Sequence, residues 1–131
     1  MFENLSLNAA CAEQHEAVIE KGFTPQPVAT NLMLIVSELG EACEADRKNR
    51  HADFECYNSV YIDALLECGS TIHSERIAFE RCIKDTFEDE IADAFLRLMD
   101  LCGAMNIDIE KHIRMKAEYN KLRPTKHGKA Y

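Results

Sequence analysis

Two pairs of carboxylates stand three residues apart in this chain: Glu38 and Glu41 in SELGEACEADR, and Glu90 and Asp93 in DTFEDEIADAFLRLMDL. On a helix, each pair places its Cβ atoms about 5–6 Å apart on adjacent turns of one face. Both pairs border apolar stripes. Leu34, Ala42 and Ala45 share the face of the first, and Ile91 and Ala94 adjoin the second. A lone carboxylate at such a margin is costly to keep ionised. Four converging between packed helices repel one another, and a hard divalent cation makes the arrangement favourable. Mg²⁺ takes one or two carboxylates at a time and leaves positions open for water and phosphate oxygens; Mn²⁺ is the alternative. A di-iron carboxylate site needs His three residues after Glu. None of His15, His51, His73, His112 and His127 meets that spacing in either acidic stretch. A solvated acidic face is the competing explanation for each pair alone, and Glu44, Glu88 and Asp89 are assigned to it or, at most, to a supporting place behind the ligands.

The elements that must position these groups are helical. A first helix is expected from about Asn4 to Lys21, stopped by Gly22 and Pro25. A second starts near Pro25 to Val28 and runs to about Lys48, carrying the first acidic pair. The segment from 51 to 84 is the least regular: VYIDALLEC predicts a short helix closed by Gly69, and SERIAFERCIK another, capped by Ser74. Asp85 or Thr86 caps the next strong helix, whose apolar stripe is Ile91, Ala94, Phe95, Leu98 and Cys102. The last helix starts after Asp108 and is ended by Pro124. No strand alternation, internal repeat or low-complexity tract is present. The expectation is one all-α domain, a bundle of four main helices with short helices in the middle segment.

Composition narrows the function classes. The 131 residues suit a single domain with its own core. A net charge of −8 argues against broad nucleic-acid binding. No apolar run reaches membrane-spanning length and no signal-peptide pattern opens the chain, so a cytoplasmic protein is expected. From Lys111 onward, seven Lys and Arg stand against the single acid Glu118. That basic end is either a solubilising tail or a site for a small, highly charged anion. The six cysteines form no CxxC pair and no zinc-site spacing with His. They are expected as free, small core residues rather than as a disulfide framework. His112 is expected as a packed or capping histidine. Phe2, Phe23, Phe54, Tyr57 and Tyr61 include candidates for a base-stacking ring, though most aromatics in a chain this size are core.

The three blocks SELGEACEADR, DTFEDEIADAFLRLMDL and KAEYNKLRPTKHGKAY, in that order, resemble the MazG-like, all-α nucleoside triphosphate pyrophosphohydrolases. Their pattern is an ExxE helix, a spacer, an ExxD helix and a later Lys-x3-Asn-x2-Arg stretch. Here these are Glu38 and Glu41, Glu90 and Asp93, then Lys116, Asn120 and Arg123. GFTPQPVATNLMLIVSELGEA is similar to the family's entry into its metal helix. The likeness covers most of the chain outside roughly 51–75, where the spacer is longer than in the shortest members. It implies Mg²⁺-dependent cleavage between the α- and β-phosphates of a (d)NTP, giving monophosphate and pyrophosphate, by a homodimer or homotetramer.

The resemblance assigns Glu38, Glu41, Glu90 and Asp93 as metal ligands, with Glu41 the candidate to orient or deprotonate the attacking water. Lys116 and Arg123 would hold phosphate oxygens, Lys116 as a point charge at the reacting phosphates and Arg123 as a bidentate partner. Lys116, Asn120 and Arg123 fall at i, i+4 and i+7 on one helix face, and Lys126 and Lys129 could close over the phosphates. Two other functions stay open: a related-fold hydrolase of another pyrophosphate-linked nucleotide, such as phosphoribosyl-ATP, and a non-catalytic helical oligomerisation or regulatory module.

Overall fold

A computed structural model describes residues 6–124. Six α-helices follow in order: α1 (Leu7–Glu20), α2 (Val28–Arg47), α3 (Phe54–Cys68), α4 (Thr71–Cys82), α5 (Phe87–Ala104) and α6 (Ile109–Lys121). No strand occurs among the described residues. The all-α expectation holds, but the middle segment is more regular than its sequence indicated. Its two helices have 15 and 12 residues and pair as an antiparallel-type hairpin through the short turn at Gly69 and Ser70. No described helix is long and apolar enough to cross a membrane.

The chain divides into two compact units, 26–98 and the combination of 1–25 with 99–131. The first holds α2, α3, α4 and α5 up to Leu98. Its helix ends are set by short polar side chains. Pro27 precedes α2, where its fixed φ suits a helix entry. Asp53 caps α3 by accepting the Cys56 N–H at 2.8 Å, and Gly69 closes that helix in the left-handed region at φ 66°. Ser70, not Ser74, caps α4. Ser74 lies inside that helix, fully buried, and its hydroxyl donates to the Ser70 carbonyl at 2.7 Å. The displacement has a physical reason: Gly69 stops α3 so early that Ser70 is the first residue free to serve as a cap. The Thr86 hydroxyl oxygen accepts the Asp89 N–H at 3.4 Å at the entry to α5.

One loop ties these helices together. The Phe87 N–H donates to the Arg50 carbonyl at 2.9 Å, and the Asp53 N–H to the Cys82 carbonyl at 3.2 Å. Glu88 accepts the Ala52 N–H at 2.8 Å and meets His51 Nδ1 at 3.0 Å. Those contacts hold its carboxyl below the usual range, the backbone bond from Ala52 contributing most. Glu88 is therefore not simply a solvated acid; it fastens 50–53 to the start of α5. Glu44 does sit at the surface, paired with Lys48 and Arg47, which lower its pKa to about 2.

The cysteines depart from the sequence expectation. Cys56 of α3 and Cys82 of α4 form a disulfide with Cα atoms 5.9 Å apart. Cys11 and Cys102 are free and buried, and act as the small core residues expected of all six; Cys43 and Cys68 are exposed. Spacing along the chain gave no sign of the bond, because the hairpin brings together residues 26 apart in sequence.

In the second unit, α1 and α6 are in contact and α1 carries the buried residues Ala10 and Cys11. Asn8 and Asp108 bond at 2.7 Å, the Leu7 N–H donates to Glu110 at 2.7 Å, and His15 pairs with Asp100 at 2.8 Å. Gly103 is required by close approach: a Cβ there would lie 2.3 Å from the Cys11 carbonyl oxygen. His112, expected to be packed or capping, is exposed, because α6 buries none of its residues.

Two outcomes follow from these constraints. Replacing both Cys56 and Cys82 by Ser lowers unfolding stability by about 2–4 kcal/mol in denaturant titration, and thiol assay of the unfolded, unreduced wild type finds only the four free cysteines. Gly103→Ala costs about 1–3 kcal/mol, since the obstructing atom belongs to backbone that cannot swing aside.

Candidate metal centre

Glu38, Glu90 and Asp93 each direct one carboxylate oxygen into a common volume, where the oxygens lie within 4.8 Å of one another. Two are buried acids: Glu38 is 8% exposed and Glu90 6%. Asp93 stands at the exposed rim. The spacing of each pair explains the geometry. Residues three apart share a helix face, and on α2 that face also buries Ala42 and Ala45. Small side chains beside the acids leave room for the carboxylates to turn inward. On α5 the neighbouring Ala94 is likewise buried.

A missed residue completes this group. Arg97 lies one turn beyond Asp93 and donates from Nε to Glu38 Oε1. It is the cation that compensates the burial of Glu38. Its position at i+4 from Asp93 and i+7 from Glu90 was legible, but its partner sits 59 positions away in sequence. No such partner meets Glu90, whose side chain makes no hydrogen bond or ion pair among the described residues. Burial raises its carboxyl above the ordinary glutamate range, and Glu41, Asp89, Glu38 and Asp93 push it further. Asp93 is raised too, by desolvation first and then by Asp89 and Glu38; Arg97 pulls it the other way.

Glu41 lines the same cleft but is not one of the three converging acids. Asp89, assigned to a solvated face from sequence, also lines it and is half-buried. It accepts the Asp85 N–H at 2.9 Å. Asp85, Asp89 and Glu90 form a second acidic group, and Lys84 already binds both Asp85 oxygens at 2.8 and 2.9 Å. Asp85 holds a positive φ of 60°, which a short polar side chain tolerates.

The cleft measures about 810 Å³, within the range of small-molecule sites. Its other wall comes from the α3–α4 hairpin and includes Tyr57, Ile72, Arg76 and Phe79. Phe2 lies outside the described residues; of the other aromatics noted in the sequence, only Tyr57 lines this cleft, Phe54 is exposed at the start of α3, and Phe79 was missed.

The proposed phosphate-binding residues belong to the other unit. Lys116 and Asn120 line a shallow groove on α6 with Ile109 and Ile113, and Lys116 Nζ lies 5.0 Å from the centre of the Tyr119 ring. Arg123 follows the end of α6, its N–H donating to the Asn120 carbonyl at 3.2 Å. Lys126 and Lys129 lie outside the described residues.

Chemically, the three converging carboxylates fit a hard, oxygen-loving cation. Nitrogen and sulfur ligands are absent from the group. Glu90, buried as a residue and without an ion pair among the described residues, is the acid whose charge such an ion would offset.

The raised carboxyls set a sign. In the window between the ordinary carboxylate range and the raised folded values, the native state binds more protons than the unfolded chain. Without divalent metal, the contribution of Glu90 and Asp93 to stability therefore falls as pH rises through that window. Thermal melts of wild type minus Glu90→Gln isolate the effect: the substitution raises Tm in chelator on the alkaline side of that window, and added Mg²⁺ removes its advantage. Equal melts at all pH values with and without metal would contradict the convergence of these acids.

Comparison with family models, with curated proteins and with solved structures finds no match to this chain.

Proposed function

We propose that the chain is a Mg²⁺-dependent nucleoside triphosphate pyrophosphohydrolase of MazG-like type, cleaving a (d)NTP between its α- and β-phosphates to monophosphate and pyrophosphate. The observation carrying this reading is Glu90, a buried carboxylate among like charges whose side chain has no hydrogen bond or ion pair among the described residues. The ordered ExxE, ExxD and Lys-x3-Asn-x2-Arg blocks support it from the sequence.

In this reading Glu38, Glu90 and Asp93 hold the metal, with Mn²⁺ as a substitute. When bound, the ion offsets phosphate charge and aligns the triphosphate for attack. Arg97 orients Glu38. Glu41, on the same cleft yet outside the converging three, orients the attacking water or takes its proton. Lys116, Asn120 and Arg123 are assigned to phosphate oxygens by the resemblance, Lys116 and Asn120 also by the face of α6 they share, and Lys126 and Lys129 by the resemblance alone.

Self-association as a dimer or tetramer belongs to the same proposal. Leu32, Met33, Val36 and Leu39 of α2 and Phe95 and Leu98 of α5 are all exposed on the single chain. Apolar surface of this kind favours burial against a second copy. A nucleotide substrate places the work in the cytoplasm; the Cys56–Cys82 bond is the feature at odds with a reducing compartment.

A panel of (d)NTPs with Mg²⁺, scoring pyrophosphate and orthophosphate separately, tests the activity. Pyrophosphate with monophosphate is expected; orthophosphate with diphosphate would refute the bond assignment. Glu90→Gln and Asp93→Asn each lower kcat/KM by at least about 100-fold, as loss of a ligand should exceed the loss of its supporting partners. Unchanged rates in both variants would remove the acidic cluster from the mechanism.

A further inference from the structure

The cleft has two chemically opposed walls. Glu38, Glu41, Glu90 and Asp93 line one side, where nothing apolar would be welcome. The α3–α4 hairpin supplies the other. Ile72 and Phe79 stand seven residues apart on one face of α4, with Arg76 between them, and Tyr57 of α3 lines the cleft with them. Ile72 is 80% exposed and Phe79 42%, so neither is held there by the core. A large apolar side chain left open to water inside a cleft of this size is a surface waiting for a flat or greasy group.

The wall is built to stay in place. Tyr57 stacks on Tyr61 with ring centres 6.4 Å apart and planes within 4° of parallel. The Cys56–Cys82 disulfide joins the residue before Tyr57 to the residue three after Phe79. Among the described residues Arg76 is engaged only by an exposed ion pair with Glu80 at 3.4 Å, a contact weak enough to exchange for a ligand.

We propose that Tyr57, Ile72 and Phe79 form the subsite for the nucleobase of a nucleotide whose phosphates are held at the carboxylate wall. This rests on the triphosphate reading above and deepens it: the hairpin between the two acidic helices determines specificity. A ring stacked on Phe79 and Tyr57 gains contact that is tolerant of base identity, because every base presents a π face. An apolar peptide or lipid chain would gain nothing from the acids opposite, whereas a nucleotide carries both a ring for one wall and metal-bound phosphates for the other.

The test compares two probes by calorimetry with Mg²⁺: an α,β-methylene nucleoside triphosphate, which is not cleaved, and inorganic tripolyphosphate, which lacks the ring. Wild type should bind the nucleotide about 5- to 100-fold more tightly than tripolyphosphate. Phe79→Ala should remove most of that difference and leave tripolyphosphate affinity unchanged. Ile72→Ser, at a position too exposed to threaten folding, should weaken the nucleotide alone and by less. The inference is overturned if wild type binds both probes equally, or if both variants hold the nucleotide as wild type does. Failure of wild type to bind either probe would bring down the triphosphate reading itself, and this inference with it.

Discussion

Mutual repulsion among the acids of one cleft is the constraint on which the rest depends. Glu38 and Glu90 are buried within reach of Asp93, and one guanidinium, that of Arg97, hydrogen-bonds Glu38 and offsets part of the charge of Asp93. Like charges at this separation, away from bulk water, oppose folding unless protons, cations or rigid scaffolding compensate. The scaffolding is evident. Arg50, Ala52 and Asp53 bind the ends of α4 and α5 through backbone and carboxylate hydrogen bonds, and the disulfide fixes α3 to α4. Such fastening is what a site built from side chains on helices needs, because a shift of one ångström would undo the convergence.

The same constraint accounts for the orientation of α2. A helix of a water-soluble bundle ordinarily turns its apolar stripe inward. Here the face with Glu38, Ala42 and Ala45 is buried, and Val28, Leu32, Val36 and Leu39 on the opposite side are exposed. α5 repeats the pattern: Glu90, Ala94 and Leu101 are buried, and Phe95 and Leu98 are open. The exposed apolar stripe is the cost of placing one acid of each pair, Glu38 and Glu90, on the buried face, and it is the physical ground for the proposed second copy.

How much of this was legible depended on whether the signal was local. Caps and stops were: Asp108 before α6, Gly69 after α3 and Thr86 before α5 follow from side chains bonding to nearby backbone. So was the facing of each acidic pair, since three residues make nearly one helical turn. The length of α3 was not, because Phe54 to Ser59 lacks a clear apolar period and is fixed instead by the Asp53 cap and the loop hydrogen bonds around it. Arg97 with Glu38, Cys56 with Cys82, and Asp89 within the cleft all depend on which helices meet, which no periodicity within one helix reports. Phe95 and Leu98, two of the five residues of the apolar stripe predicted on α5, face outward for the same reason.

The charge balance of the cleft also orders events under the proposed activity. Among its lining residues the acids outnumber the cations Arg76 and Lys84, and Lys84 is already bound to Asp85, which raises its pKa and keeps it protonated. A bare polyphosphate approaching this surface meets repulsion from the carboxylates before any favourable contact. A polyphosphate accompanied by divalent cation meets the reverse, because the acids that repelled the anion now attract its counterion. Metal is then a condition for substrate to enter as well as for its bond to break, and the apolar hairpin wall, uncharged at Tyr57, Ile72 and Phe79, is the one part of the cleft whose affinity is independent of it.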